Sequence, residues 1–261
     1  MTKIIDGRKI AEKILNRLKK QPKPKKILAA VLVGTNPASI SFLKQKEKAA
    51  DSLGIQFQLY RFSSKISEVT LKKKINQLNR DPKIGGIIIQ LPLSKKINRE
   101  SIIELLAKNK DIDALKSSEL VLPPAVGALD AILKTIRFAL KGKRVVVIGR
   151  GFLVGKPIAI WLKSKVKRLD IFYSTFFDKR ILEQADLIIS GVGVSGLVKG
   201  SQIKKGAVLV DFGYSASGGK LTGDFDFESC AKKAKYITPV PGGTGPILVA
   251  KLLDNFYRLT K

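Results

Sequence analysis

Apolar and polar positions alternate along this chain in two series. Apolar runs "ILAAVLV" (27–33), "FQLYRF" (57–62) and "GGIIIQLPL" (85–93) are separated by amphipathic stretches at 38–53, 67–79 and 99–108. The irregular "SSELVLPPAVG" (117–127) reads as a crossing between two lobes. A second series follows with "RVVVIG" (144–149), "RLDIFYS" (168–174), "ADLIISGVG" (185–193), "AVLVDFG" (207–213) and "YITPV" (236–240). Short apolar runs alternating with helical stretches predict an α/β fold, two lobes of parallel-sheet βαβ units with helices on both faces. The expected boundaries are 1–117 for the first lobe and 118–242 for the second. A last helix at 246–258, within 243–261, is expected to return to the first lobe.

The second series opens on "VVVIGRGFLVGKP" (145–157), in which Gly149, Gly151 and Gly155 spell G-x-G-x-x-x-G, one residue longer than the usual dinucleotide fingerprint. A strand to Ile148 and a helix from Leu153 or Val154 to about Ser164 give this turn its strand-turn-helix context. Exposed N–H groups at such a helix start attract anions, and glycine lets a pyrophosphate approach the backbone. A plain βα turn packed by glycines has the same pattern. The second lobe is therefore expected to be a Rossmann-like dinucleotide-binding domain. An NAD site usually carries an acidic side chain at the end of the next strand. Here that strand ends in Tyr173, Ser174 and Thr175, with Asp170 too early. Arg150 is able to pair with a 2′-phosphate and Ser174 to donate to it, which favours NADP over NAD. Arg150 as an ordinary surface residue is the alternative.

One helix carries an oddity. In "TNPASISFLKQKEKAADSLGI" (35–55), Asn36 suits the N-cap, Pro37 the first turn and Gly54 the stop. At helical spacing Phe42, Leu43, Lys46, Ala49, Ala50 and Leu53 share one face, opposite Lys44, Glu47, Lys48 and Asp51. Lys46 thus sits where a leucine is expected. Its stem could pack while the ammonium snorkels to water. Alternatively the amine is partly desolvated, with a lowered pKa that suits acid–base work; spacing leaves both open. Gln90 ends the very apolar "GIIIQLPL" just before Pro92, at the carboxyl end of a strand where ligands of parallel sheets bind. Asp111 and Asp113 in "NKDIDAL" follow a predicted helix and also suit turn or cap positions.

Composition narrows the chemistry. The 261 residues hold no histidine, so histidine metal sites and Ser-His-Asp triads are excluded, and acid–base steps fall to Lys, Asp, Glu, Tyr or Cys. No metal is expected. The single Cys230 cannot form an internal disulfide, and no long apolar run or signal pattern occurs, so a cytoplasmic protein is expected. A net charge of +28 suggests polyanions, but the lysines are spread through every predicted helix and only 7% of residues are aromatic. Nucleic acid is not expected as the main partner. Such a field steers anionic small molecules.

Taken together, "IIDGRKIAEKI", "VGTNPASISFLKQKEKA", "IIIQLPL", "KDIDAL", "VIGRGFLVGKP" and "TPVPGGTGP" resemble the bifunctional methylenetetrahydrofolate dehydrogenase/cyclohydrolase family over nearly the whole chain. Their family counterparts are S-x-x-Y-x-x-x-K, Q-L-P-L, K-D-V-D-G, V-I-G-R-S-x-x-V-G-x-P and T-P-V-P-G-G-V-G-P for the last five stretches. The resemblance implies Lys46 as catalytic lysine, Gln90 as its polar partner and Asp113 as the carboxylate that holds the pterin. It implies folate contacts from Phe42, Pro92, Leu93, Pro241, Gly242 and Gly243. NADP contacts fall on Gly149, Arg150, Gly151, Val154, Gly155, Lys156, Pro157, Ser174, Gly191, Val192, Gly193 and Gly213. A homodimer, an active site between the lobes and tetrahydrofolate substrates with anionic polyglutamate tails are implied as well.

Several positions depart from the pattern. Phe42 stands at the family tyrosine, so the hydroxyl near Lys46 is missing. "KDIDALKSSEL" lacks the glycine-phenylalanine after the second aspartate, and "LPPAVG" (122–127) matches its counterpart firmly only at Gly127. "YSTF" keeps Ser174 alone of H-S-x-T, and Ile247 and Leu248 replace Met-Thr. These changes bear on cyclohydrolase efficiency and cofactor affinity. A dehydrogenase with weak hydrolysis and a non-catalytic nucleotide- or folate-binding protein are the rival readings.

Overall fold

The computed structural model describes residues 1–116, 119–173, 177–217 and 220–261. In chain order the elements begin β1 (Lys3–Ile4), α1 (Gly7–Lys19), β2 (Ile27–Val33), α2 (Pro37–Ser52), β3 (Phe57–Phe62), α3 (Glu68–Arg80), β4 (Ile84–Gln90) and α4 (Arg99–Leu105). They continue with α5 (Pro124–Thr135), β5 (Arg144–Ile148), α6 (Gly155–Leu162), β6 (Arg168–Phe172), α7 (Lys179–Leu182), β7 (Leu187–Ser190) and β8 (Val208–Asp211). The hairpin β9 (Ser215–Ser217) and β10 (Lys220–Thr222), then α8 (Phe227–Ala231), β11 (Tyr236–Ile237) and α9 (Thr244–Leu259) complete them. The chain folds as two compact units, one of residues 13–124 with 249–261 and the other of 1–12 with 125–248.

The first of these units is built on a parallel three-stranded sheet in the order β3-β2-β4. β2 is buried along both faces because alternate residues serve two cores. Leu28, Ala30 and Leu32 pack with Leu43 and Ala50 of α2 and with Leu252 and Phe256 of α9. Ala29, Val31 and Val33 pack with Leu71 and Ile75 of α3 and Ile102 of α4. Gly86 admits the last helix: a Cβ there would lie 2.7 Å from the Phe256 ring.

The other unit holds a six-stranded parallel sheet, β1-β11-β8-β7-β5-β6. β5 has β6 on one side and β7 on the other, so the strand order reverses there. Open parallel sheets bind ligands at the carboxyl ends of strands at such a reversal. Val146, Ile148, Ile188, Leu209 and Ile237 form its core with Leu182 and Cys230. Burial pushes the Cys230 thiol up to about 12, an inert packing residue.

The structure departs from the sequence pattern at several places. Met1–Glu12 lies with the second series, since β1 pairs in parallel with β11. The end of the irregular 117–127 stretch is the first turn of α5, whose Ala125, Val126, Gly127, Ala128 and Leu129 are all buried. A helix apolar nearly all round lacks the amphipathic period that marks helices in sequence. α6 starts at Gly155, one or two residues later than expected. The short hairpin β9–β10 had no signal in the pattern.

Candidate active site

Side chains of the 13–124 unit gather at the carboxyl end of β4. Asn36 caps α2, its side chain accepting from Ser39 N, and Gly54 ends the turn beyond it with φ +67°. The helix phase this sets buries Leu43, Lys46, Ala50 and Leu53 together. Lys46 is 5% exposed and does not snorkel. Its Nζ donates to Gln90 Oε1 at 3.2 Å, and Gln90 Nε2 donates to Leu91 O at 2.9 Å. The second bond fixes the amide so that its oxygen faces the lysine. The Phe42 ring, one turn before, lies 5.0 Å from Nζ. Among the described residues Gln90 Oε1 is the one hydrogen-bond acceptor of Lys46 Nζ. Loss of water lowers the Lys46 pKa, and the nearby Asp113 charge offsets this only in part. Asp113 responds in kind: burial raises its pKa against the pull of Lys46. Each group is thereby shifted toward its neutral form, which readies the amine to take up a proton.

Asp113 owes its place to the two charged residues before it. Buried Lys110 donates from Nζ to the carbonyls of Leu78, Asn79 and Asp81 at 3.0, 2.7 and 2.7 Å, closing the end of α3. Asp111, fully buried, accepts from Leu115 N at 3.1 Å and Lys116 N at 2.9 Å. Its carboxyl is pushed up to about 6, chiefly by burial. Asp111 is therefore a turn former, while Asp113 and Lys46 feel each other's charge. Ala114, with φ +49°, holds a left-handed conformation that costs a non-glycine residue about 1 kcal/mol. Pro92 is exposed and Leu93 half-buried just beyond β4.

In the other unit the glycine turn closes the end of β5. Gly149 has φ +98°, and a Cβ on Gly155 would lie 1.9 Å from Gly149 O. A Cβ on Gly191 would meet Val154 Cγ1 at 2.8 Å, so the loops after β5 and β7 touch. Gly151 differs, with open space where its Cβ would be. Val154 is the N-cap of α6 and makes no side-chain cap bond, and Lys156 and Pro157 occupy the helix's first turn. Arg150 Nη1 donates to the Tyr173 hydroxyl, with its guanidinium 5.3 Å from that ring's centroid. Asp170 is paired with Arg168 at 2.9 Å. Ser174 lies outside the described residues. Pro241, Gly242 and Gly243 border the start of α1, where Gly7 N donates to Gly242 O at 3.0 Å. A Cβ on Gly7 would overlap Gly243 O at 1.6 Å, which accounts for the glycine in "IIDGRK".

The family model for the catalytic domain of tetrahydrofolate dehydrogenase/cyclohydrolase matches residues 5–113, and that for its NAD(P)-binding domain matches 123–261. The chain belongs to the tetrahydrofolate dehydrogenase/cyclohydrolase family. It is 39% identical to the bifunctional protein FolD of Moorella thermoacetica, over 97% of this chain and 96% of the relative. The crystal structure of the bifunctional enzyme FolD from Campylobacter jejuni matches with a TM-score of 0.95 at 34% identity, covering 100% of this chain and 99% of that one. The Trypanosoma brucei methylenetetrahydrofolate dehydrogenase-cyclohydrolase, complexed with NADP cofactor and inhibitor, matches with a TM-score of 0.93 at 29% identity, over 99% and 97% of the two chains.

Sequence reasoning passed over two residues of the tetrahydrofolate dehydrogenase/cyclohydrolase NAD(P)-binding unit. Asp211, at the end of β8, and Asp224 are 2% and 0% exposed. The one available signal was an acidic residue closing an apolar strand in "AVLVDFG". Gly213 is buried, and a Cβ on it would lie 2.1 Å from Asp224 Oδ1, so its missing side chain makes room for that carboxylate. Burial, reinforced by the Asp224 charge, pushes Asp211 up to about 8. Its folded-state pKa is thus above the unfolded value of about 3.9. The unfolded chain releases this proton first, so Asp211 lowers stability progressively as pH rises from about 4 to about 8. Melting temperature should fall over that window, and Asp211→Asn should flatten the fall; an unchanged slope in the variant would contradict this. Among the described residues no helix is long and apolar enough to cross a membrane, and no three His, Cys, Asp or Glu are placed to hold a metal ion.

Proposed function

We propose that this protein oxidises 5,10-methylenetetrahydrofolate to 5,10-methenyltetrahydrofolate with NADP, then hydrolyses the product to 10-formyltetrahydrofolate. The observation that carries this reading is the buried Lys46 amine held by Gln90 beside Asp113, in the unit that contains most of the catalytic-domain match. On this reading residues 13–124 and 249–261 carry Lys46, Gln90 and Asp113, and 1–12 and 125–248 carry the glycine turn for the dinucleotide. The glycine turn fits such a group: Gly149 and Gly155 are sterically required, and Gly151 leaves open space where a side chain would stand, next to a start of α6 that has no side-chain cap. Arg150 is the cation available to a 2′-phosphate, and Asp170, the acid that would oppose it, is already paired. When bound, NADP supplies a hydride acceptor.

The chain's own residues do the rest. Asp113 accepts hydrogen bonds from the pterin amino group and the adjacent ring N–H, and Phe42 offers a flat face to the ring. Hydride loss leaves a cation shared by two nitrogens, a step that needs positioning rather than a base. Hydration of that cation needs one. Lys46, as the neutral amine, takes a proton from the attacking water, and the ammonium returns it to the ring nitrogen that leaves as the ring opens. The remaining hydroxyl proton passes to solvent as the formyl carbonyl forms. Gln90 Oε1 orients the amine throughout. Pro92, Leu93, Pro241, Gly242 and Gly243 are assigned to the folate, and Val154, Lys156, Pro157, Ser174, Gly191, Val192, Gly193 and Gly213 to the cofactor region. A cytoplasmic homodimer acting on polyglutamylated folates suits the family membership and the net charge of +28.

Phe42 leaves the amine without the neighbouring hydroxyl that the family tyrosine would supply, so hydrolysis should be slower than with tyrosine at this position. Phe42→Tyr should raise the hydrolysis rate by up to about tenfold, the worth of one hydrogen bond of about 1.4 kcal/mol. An unchanged rate in that variant would reject a role for the missing hydroxyl. The function itself is tested by one coupled spectrophotometric assay with NADP and NAD side by side. Reduction of the dinucleotide should depend on methylenetetrahydrofolate and be faster with NADP, and methenyltetrahydrofolate should then decay faster than in buffer. No folate-dependent reduction at any cofactor concentration would overturn the reading.

A further inference from the structure

The loop after β7 has its N–H groups turned inward. Gly191 N donates to Ile148 O at 3.0 Å. Val192 N donates to Asp224 Oδ2 at 2.7 Å, and Gly193 N and Val194 N both donate to Asp224 Oδ1 at 2.8 Å. Ser190 Oγ adds a fourth bond to Oδ2 at 2.6 Å. Three successive N–H groups around a residue of positive φ, here Gly193 at +83°, form the kind of backbone concavity that binds phosphate in other proteins. In this chain the concavity is filled from within by a side chain 34 residues away from Ser190.

Room for that carboxylate is built into the surrounding glycines. A Cβ on Gly213 would overlap Asp224, and a Cβ on Gly223 would lie 2.2 Å from Asp211 Oδ2. Asp211 holds the neighbouring backbone, accepting from Gly213 N at 2.9 Å and Phe225 N at 3.2 Å. Val198 N donates to Asp224 O at 3.0 Å, which anchors the main chain that carries the carboxylate. Carboxylates that accept several backbone N–H bonds make short, strong contacts and rigidify the loop they hold.

We propose that Asp224 is a positioning residue for the dinucleotide: an internal anion that fixes residues 190–194 so that this loop meets the cofactor with carbonyl oxygens and apolar side chains, never with N–H groups. On the reading that this unit binds NADP, the labour is divided between two loops. Phosphate falls to the turn at 149–157, while the 190–194 loop presents acceptors and the exposed Val194 side chain to groups that are uncharged or donate. Replacing the carboxylate by an amide sets an NH2 donor against N–H donors, which frees the loop without changing the volume beneath it.

NADPH binding followed by fluorescence, with methenyltetrahydrofolate hydrolysis measured without dinucleotide, tests this. Wild-type protein that binds no NADPH would overturn the cofactor reading itself. Given wild-type binding, Asp224→Asn should raise the NADPH Kd at least tenfold, and Ser190→Ala, which removes one of four bonds, about two- to fivefold. The NADPH loss should exceed any loss of hydrolysis, at least fivefold in Asp224→Asn and at least twofold in Ser190→Ala. Should Asp224→Asn fail to fold, Ser190→Ala decides alone. NADPH affinity within twofold of wild type in Ser190→Ala, or hydrolysis falling in parallel with binding, would overturn the role assigned to Asp224.

Discussion

Lys46→Met should abolish hydrolysis of methenyltetrahydrofolate, with a loss of about 10²- to 10⁴-fold, the usual contribution of a positioned proton-transfer group. Methionine keeps the length of the lysine stem and fits the buried stripe beside Leu43 and Ala50. It removes the cost of holding an amine out of water, and leaves Gln90 Oε1 without its partner, a penalty of about 1–3 kcal/mol. These effects oppose each other, so the variant should melt within several degrees of wild type while its hydrolysis disappears. Hydride transfer should survive at a reduced rate, because that step asks for alignment rather than a proton acceptor. Stopped assays of methenyl decay and of NADPH formation, run on the same preparation, separate the two activities. Wild-type hydrolysis in Lys46→Met would remove the lysine from the mechanism.

Gly155→Ala is the second large effect. The added Cβ would sit 1.9 Å from Gly149 O, a backbone atom that cannot swing aside. Either α6 moves outward or the end of β5 shifts, and both displace the turn from the geometry proposed to bind phosphate. The expected result is at least a tenfold weaker NADPH Kd, together with a lower melting temperature. Gly151→Ala provides the contrast, because nothing lies within 4 Å of its Cβ position. That variant should melt as wild type does. Equal melting and equal NADPH affinity in Gly155→Ala and wild type would show that the close contact between these backbones is not needed.

The strands that carry the two sites were legible because both sheets are parallel and covered. β2 and β3 begin and end where their apolar runs do, and the phase of α2 follows from Asn36 and Gly54. That phase is why Lys46 stood out as a lysine in an apolar stripe. Its burial was not legible, since a four-carbon stem satisfies the same pattern while reaching water. The separate duties of Lys110, Asp111 and Asp113 were hidden for a different reason. Three adjacent polar residues at a turn look alike in sequence, and only the carbonyls at the end of α3 and the N–H groups of Leu115 and Lys116 distinguish them. The Asp224 clamp is longer-ranged still, joining residues some thirty positions apart. α5 escaped notice because burial on nearly every side erased its period.

The protonation state of Lys46 is the point on which hydrolysis turns. Lysine-selective isotope labelling with NMR, the Lys46 signal assigned by its loss in Lys46→Met, reads that state directly as pH is raised. The Lys46 amine should titrate well below the surface lysines, and Asp113→Asn should lower it further by removing the charge that favours the ammonium. A Lys46 signal that titrates together with the solvent-exposed lysines would contradict its role as the base for hydration.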